Sequence, residues 1–177
     1  SDIVVENANR DRLQKEFEIV DTGIFDNNEY FDVFIEYAKH AEEDILIKIT
    51  AHNRSKKKAP IHLLPTIWFR NTWRWGYDGY RPTLRKTPQK NRIEIEYQGF
   101  PGYHLRYDGE GKALFCENDT NRKLLYNQDN LVKYPKDGIN DYVVDNKGGT
   151  INPDQEGTKC AIHYQFDVPA GKSVTIN

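Results

Sequence analysis

Residues 68–76 read WFRNTWRWG, and no other run in the chain concentrates so much binding chemistry. In an extended conformation Trp73 and Trp75 fall on one face about 7 Å apart, with Arg74 between them pointing the other way. Two such rings make a flat aromatic surface, and a sugar packs the C–H face of its ring on surfaces of that kind. Trp68, Arg70, Asn71, Trp73, Arg74 and Trp75 are therefore candidates for carbohydrate binding or for docking on another domain. Arg70, Asn71 and Arg74 are placed to donate hydrogen bonds to hydroxyls at the rim. Tryptophan is also the largest apolar side chain and is mostly buried. On that alternative, Trp68 and Phe69 belong to the core and the other rings anchor a long loop or an interdomain contact.

A second set of candidates is polar. ENDTN at 117–121 and KDGINDYVV at 136–144 gather Asn, Asp and Glu at strand ends, and Glu117, Asn118, Asn121, Asn140 and Asp141 join the candidate set. Asn and Asp bond readily to nearby backbone, so turn building accounts for both runs. If they faced a cleft, Glu117, Asp119, Asp137 and Asp141 would supply acid and base to a glycosidic bond only where two carboxyls stood roughly 5–9.5 Å apart. No spacing sets any pair opposite each other, and no catalytic residue is assigned.

Other chemistries lack their motifs. His40, His52, His62, His104 and His163 show no H-x-x-x-H or H-E-x-x-H spacing, so no metal site is expected. His52, His62 and His163 sit in strand patterns and read as satisfied or solvent-facing. Ser1, Ser55 and Ser173 stand in no G-x-S-x-G context, and phosphate-cradling glycine loops are missing, so no cofactor is expected. Asn53-Arg54-Ser55 and Asn118-Asp119-Thr120 match the glycosylation acceptor pattern, which matters only on a secreted chain. Cys116 and Cys160 each lie in an alternating pattern and read as buried free thiols rather than a bridge.

Bulk composition narrows the classes further. Lys+Arg 25 against Asp+Glu 27 leaves no positive surplus for a phosphate backbone, which argues against nucleic acid. No apolar run approaches the ~20 residues that span a bilayer, so no membrane partner is expected. Residues 1–10 lack the basic start and apolar middle of a secretory signal, which suggests a cytoplasmic chain; a secreted or periplasmic one stays open because signals are cleaved. The 22 aromatic residues, among 177, are too many for a disordered segment. The absence of methionine suggests a piece of a longer polypeptide.

The elements that must position these residues are strands. Cys160, Ile162, Tyr164, Phe166 and Val168 alternate with Ala161, His163, Gln165 and Asp167, the period of a half-buried antiparallel strand. The same period recurs at Phe17 and Ile19, at Phe31 to Tyr37, at Ile45 to Ile49, at Ile93 to Tyr97 and at Tyr103 to Tyr107. Turn chemistry separates them at Asp26 to Asn28, Arg54 to Lys58, Gln98 to Gly102, Asp108 to Gly111 and Lys147 to Gly149. Lys39 to Asp44 reads as a hairpin connection, Asp11 to Lys15 as one helical turn, and Tyr134 to Tyr142 as a short irregular helix. The class is all-β with little helix: an antiparallel β-sandwich, taken as a single domain over residues 1–177.

WFRNTWRWG, with FDVFIEYAKHAEEDILIKITAHN (31–53), IHLLPT (61–66), ENDTN, KDGINDYVV and NPDQEGTKCAIHY (152–164), resembles the N-terminal region of large bacterial proteins related to glycoside hydrolase family 63. The resemblance runs from about Glu16 to the end of the chain. It implies a sandwich of the galactose-mutarotase supersandwich type, followed in the parent by an (α/α)6 barrel that carries the catalytic acid and base. The parent would act on α-glucosidic or related linkages by an inverting, water-using mechanism. On that basis the chain is expected to be inactive alone, to pack on the catalytic barrel of the same polypeptide and to shape its cleft. An oligosaccharide is the second class of partner, through the tryptophans, if the chain is an independent binding module.

Overall fold

The computed structural model describes residues 2–77 and 79–177, so Ser1 lies outside it. Among the described residues, eleven strands and three short α-helices follow one another. They are α1 (Asp2–Ala8), β1 (Phe31–Ala41), β2 (Asp44–Asn53), β3 (Ala59–Leu63), β4 (Thr66–Trp68), β5 (Thr83–Lys86), β6 (Arg92–Tyr97) and β7 (Phe100–Arg106). β8 (Lys112–Cys116), α2 (Arg122–Tyr126), α3 (Gly138–Val144), β9 (Glu156–Gly157), β10 (Lys159–Val168) and β11 (Ser173–Ile176) complete the order. The registered strand pairs are all antiparallel. Helix takes up 15% of the chain, too little for the crossovers a parallel sheet requires. The protein is all-β and antiparallel, as its alternating patterns require.

The chain divides into two compact units, Ser1–Ile61 with Phe166–Asn177, and His62–Gln165. In the first, β1, β2 and β11 form one sheet in that order. β1 and β2 pair from Phe31↔Asn53 to Ala41↔Asp44 around the turn at Glu42 and Glu43. β11 covers β2 only from Ile49 to His52. Burial follows that third strand: Ile49, Ala51, Asn53, Val168 and Ile176 are buried. Asn53 is 1% exposed, and its amide donates to Lys57 O at 2.8 Å and Val168 O at 2.9 Å. It is a structural clamp and not a glycan acceptor.

Two local expectations fail near the N-terminus. Phe17 and Ile19 form no strand: Ile19–Thr22 is a 3-10 turn closed by Gly23 at φ 72°, and Asn7 takes both polar groups of Phe17, accepting from its N–H at 2.7 Å and donating to its O at 2.9 Å. Two alternating residues are too few to carry a sheet edge against such side-chain bonds. Asp11 to Lys15 is an Asx turn rather than a helical one, because Asp11 Oδ1 accepts from the backbone N–H of both Leu13 and Gln14. The segment that is helical, α1, begins earlier.

In the second unit β10 is a central strand, pairing with β4 through Lys159 to Ala161 and with β8 through Lys159 to His163. The other sheet runs β7-β6-β5-β9. Leu84, Ile93, Leu114, Phe115, Cys116, Cys160, Ala161, Ile162 and Tyr164 are buried. Ala161 stands on the face of β10 that alternation assigned to solvent, yet it is buried with Leu114, Cys116 and Ile139 of α3. Gly157 lies so close to β8 that a Cβ there would stand 2.3 Å from Cys116 O. The turn expected over Gln98 to Gly102 is shorter, since β7 begins at Phe100. Among the described residues no helix is long and apolar enough to cross a membrane.

Candidate functional site

β4 ends at Trp68, and the following residues leave the sheet to form a turn over residues 73–76. Two asparagines hold its base: Asn71 Nδ2 donates to Asn118 O at 2.8 Å, and Asn118 Nδ2 donates to Phe69 O at 2.8 Å. Asn71 Oδ1 also accepts from the N–H of Arg74, and Trp75 N–H donates to Thr72 O at 3.0 Å. The extended two-ring platform is therefore not formed. Trp73 is half-buried, and its Nε1 is enclosed without a partner among the described residues. Trp75 is 51% exposed, with the Arg70 guanidinium 4.7 Å above its ring and Tyr77 edge-on at 6.1 Å. Trp68 is exposed as well.

The loop meets the ENDTN segment through charge. Arg74 Nε donates to Asp119 Oδ1 at 2.8 Å, and Asp119 is buried with Oδ2 unpartnered among the described residues. Arg81 pairs with Glu117. Thr158 Oγ1 donates to Glu117 Oε2 at 2.7 Å and accepts from Asn118 N–H at 2.8 Å. The structure thus brings Asn71, Arg74, Glu117, Asn118 and Asp119 together and adds Arg81 and Thr158. Arg81 and Thr158 carry no motif. The one available signal is that an acidic run ending a buried strand must find cations, and the arginines after Trp73 supply them. Beside this cluster a cleft of about 190 Å³ is lined by Arg81, Glu117, Glu156 and Thr158.

The remaining predicted residues serve elsewhere. Asn121 caps α2, its Oδ1 accepting from Leu124 N–H at 3.1 Å while its Nδ2 donates to Asp137 Oδ2 at 2.7 Å. Asn140 is exposed on α3, and Asp141 lies 3.8 Å from Lys147 Nζ. Glu117, Asp119, Asp137 and Asp141 are thus each engaged by a cation or an amide. The larger cavity, about 470 Å³, is lined by Lys86, Lys90, Lys112, Tyr107 and Gln155 and includes none of the predicted site residues.

His62 Nδ1 and His163 Nε2 lie 2.8 Å apart with their rings stacked. Burial, then the neighbouring His62 and Lys112, hold His163 below the ordinary imidazole range. No group of three or more His, Cys, Asp or Glu residues among those described could hold a metal ion. Cys116 and Cys160 are free and buried, and burial pushes both thiols up to about 12.

The chain is 30% identical over 212 residues to the uncharacterized protein YMR196W of Saccharomyces cerevisiae, a match that takes in 99% of the chain. It spans 19% of the length of that relative. No family model matches the chain, and no solved structure matches it significantly.

Proposed function

We propose that the chain is a non-catalytic N-terminal domain of a family 63-like glycoside hydrolase of the α-glucosidase type, built on the mutarotase-like sandwich plan and packing on an (α/α)6 barrel that performs the hydrolysis. One observation carries this reading: each of the four candidate carboxylates has a cation, a hydroxyl or an amide beside it. Glu117 is occupied by Arg81 and Thr158, Asp119 by Arg74, Asp137 by Asn121 and Asp141 by Lys147. A general acid needs a proton-carrying oxygen that faces substrate, and a general base needs room for a water, whereas the oxygens left over on Asp119 and Asp137 are enclosed. The sequence resemblance to the N-terminal region of that family and the small share of the yeast relative that the chain spans support the same reading.

The test is hydrolysis of aryl α-glucosides and maltose-type oligosaccharides by the 177-residue chain. No turnover is expected. A rate abolished by Glu117→Gln, Asp119→Asn, Asp137→Asn or Asp141→Asn would overturn the proposal.

The exposure of Trp68 and Trp75 favours a second reading, an independent carbohydrate-binding module. Against it, the Arg70 guanidinium covers the Trp75 ring that a sugar would use. Calorimetric titration with gluco- and manno-oligosaccharides separates the two. Binding lost in Trp75→Ala assigns the module; no heat with any sugar leaves the domain as scaffold.

A further inference from the structure

We infer that the cavity of about 470 Å³ in the unit His62–Gln165 is a binding site for a sugar phosphate, a phosphate monoester on a small polyhydroxylated molecule. The inference goes beyond the glycosidase reading and does not depend on it. β5 ends at the cavity with Lys86, the turn between β5 and β6 brings Lys90, and β8 begins there with Lys112. One carboxylate, Glu110, stands among the lining residues against these three lysines. The chain as a whole carries a formal charge of -2, so the wall of the cavity is opposite in sign to the molecule.

The charges call for a dianion. Lys90 Nζ lies 3.3 Å from Glu110 Oε1, and that exposed pair cancels itself. Lys112 Nζ donates to the Tyr142 hydroxyl and lies over the Tyr142 ring, neutral partners that leave its charge in place. Lys86 Nζ has no partner among the described residues. Asp154 and Glu156 flank the lining residue Gln155 but do not line the cavity themselves, and Arg85 takes Glu156 at 3.1 Å. Two positive charges are left over. A phosphate monoester carries close to two negative charges at neutral pH, whereas a carboxylate offers one. Lysine ammonium groups hold phosphate as point charges, so the site needs no glycine-rich loop.

The rest of the wall suits hydroxyl groups. Tyr107 lines the cavity while only 8% exposed, and its hydroxyl, bonded by no described residue, is not sealed off from solvent. A ligand that reaches this hydroxyl supplies the bond its burial leaves unmade. Burial, then the neighbouring Cys160, raise the phenol above its ordinary range and keep it a donor. The Gln155 side chain is also unpartnered among the described residues, and Lys86 N–H fixes it in place by donating to the Gln155 carbonyl at 3.0 Å. Asn91 Nδ2 donates to Gly109 O at 2.8 Å, which leaves its Oδ1 to accept from a ligand. Amides and a phenol bond to a polyol and have nothing to offer an acyl chain. A cavity of 470 Å³ falls inside the range of small-molecule sites, roughly 300–1,000 Å³, and has room for a sugar beside the phosphate.

Calorimetric titration of the 177-residue chain with glucose 6-phosphate, inorganic phosphate, gluconate and glucose tests this. Glucose 6-phosphate should bind with a Kd below about 1 mM, about tenfold tighter than inorganic phosphate or gluconate, and glucose should give no heat. Lys86→Gln and Lys112→Gln should each weaken that binding about tenfold, as the loss of one charge-assisted contact does. Lys123→Gln, on α2 and outside the cavity, should leave it unchanged. Both lining lysines are exposed, and urea midpoints check that the variants stay folded. In the unmodified chain, raising salt from about 50 to about 500 mM should weaken binding severalfold, a readout that needs no variant. No heat with glucose 6-phosphate at about 10 mM overturns the inference, as does an affinity that both lysine substitutions leave intact. Gluconate or inorganic phosphate binding as tightly as the sugar ester also overturns it, the first by removing the dianion and the second by removing the sugar.

Discussion

Arg74 Nε lies 2.8 Å from Asp119 Oδ1, and Asp119 is 5% exposed, so a cation from the tryptophan-rich loop holds a carboxylate inside the protein just beyond β8. With Arg74 in place, little of Asp119 reaches water. Removing Arg74 leaves a buried charge that must be protonated or must drag the loop open. We therefore expect Arg74→Ala to destabilise the chain by about 2 kcal/mol, near the middle of the range for a hydrogen bond to a charged group. Urea midpoints check this. A loss below a few tenths of a kcal/mol would mean that Asp119 finds water or another cation.

Close backbone approach makes two glycines obligatory. A Cβ at Gly157 would meet Cys116 O at 2.3 Å, and one at Gly138 would meet Thr150 O at 2.1 Å. Both obstacles are backbone, so relief requires moving a strand or a turn. Gly157→Ala and Gly138→Ala should each cost about 1–3 kcal/mol, the usual range for overpacking. Gly148→Ala meets nothing within 4 Å and is the control, expected to unfold at an unchanged midpoint.

The thiols predict an alkaline limit. Burial pushes Cys116, Cys160 and the Tyr164 hydroxyl up to about 12, so the native state keeps protons that the unfolded chain releases. Their contribution is complete below about pH 9 and declines as pH rises towards 12. Unfolding midpoints should fall across that window. At pH 8 a thiol reagent should find no reactive cysteine until denaturant is added; two fast equivalents from the native chain would contradict the buried placement.

An acid limit comes from the histidine pair. His163 titrates lower in the folded chain than in the unfolded one, because it is partly buried and faces His62 and Lys112. As pH falls below about 6.5 the unfolded chain takes up a proton that the native chain refuses, and stability is lost. In His163→Gln the slope of stability between pH 7 and pH 5 should flatten. An unchanged slope would place the titration elsewhere.

Strand period is legible in this sequence wherever one face of a strand is covered. Cys160, Ile162, Tyr164 and Val168 alternate with partly or fully exposed His163, Gln165 and Asp167, and burial in β10 follows that alternation. Ala161 departs from it because α3 covers the second face, a tertiary event with no local signature. The base of the turn at residues 73–76 is held by the bond from Asn71 to Asn118, 47 positions away, and by the bond from Asn118 back to Phe69, so the tryptophan run alone could not show that it bends. The pattern in β1 is legible as strand but not as exposed strand, since alternation tells which residues share a face and not what covers it.

Parallel hydrolysis assays on the 177-residue chain and on the longer polypeptide proposed to contain it test the central claim most directly. The account predicts turnover of α-glucosides by the longer polypeptide and none by the chain alone at any concentration. Turnover by the chain itself, lost on a single carboxylate substitution, would contradict it, and so would a longer polypeptide that cleaves no glycoside.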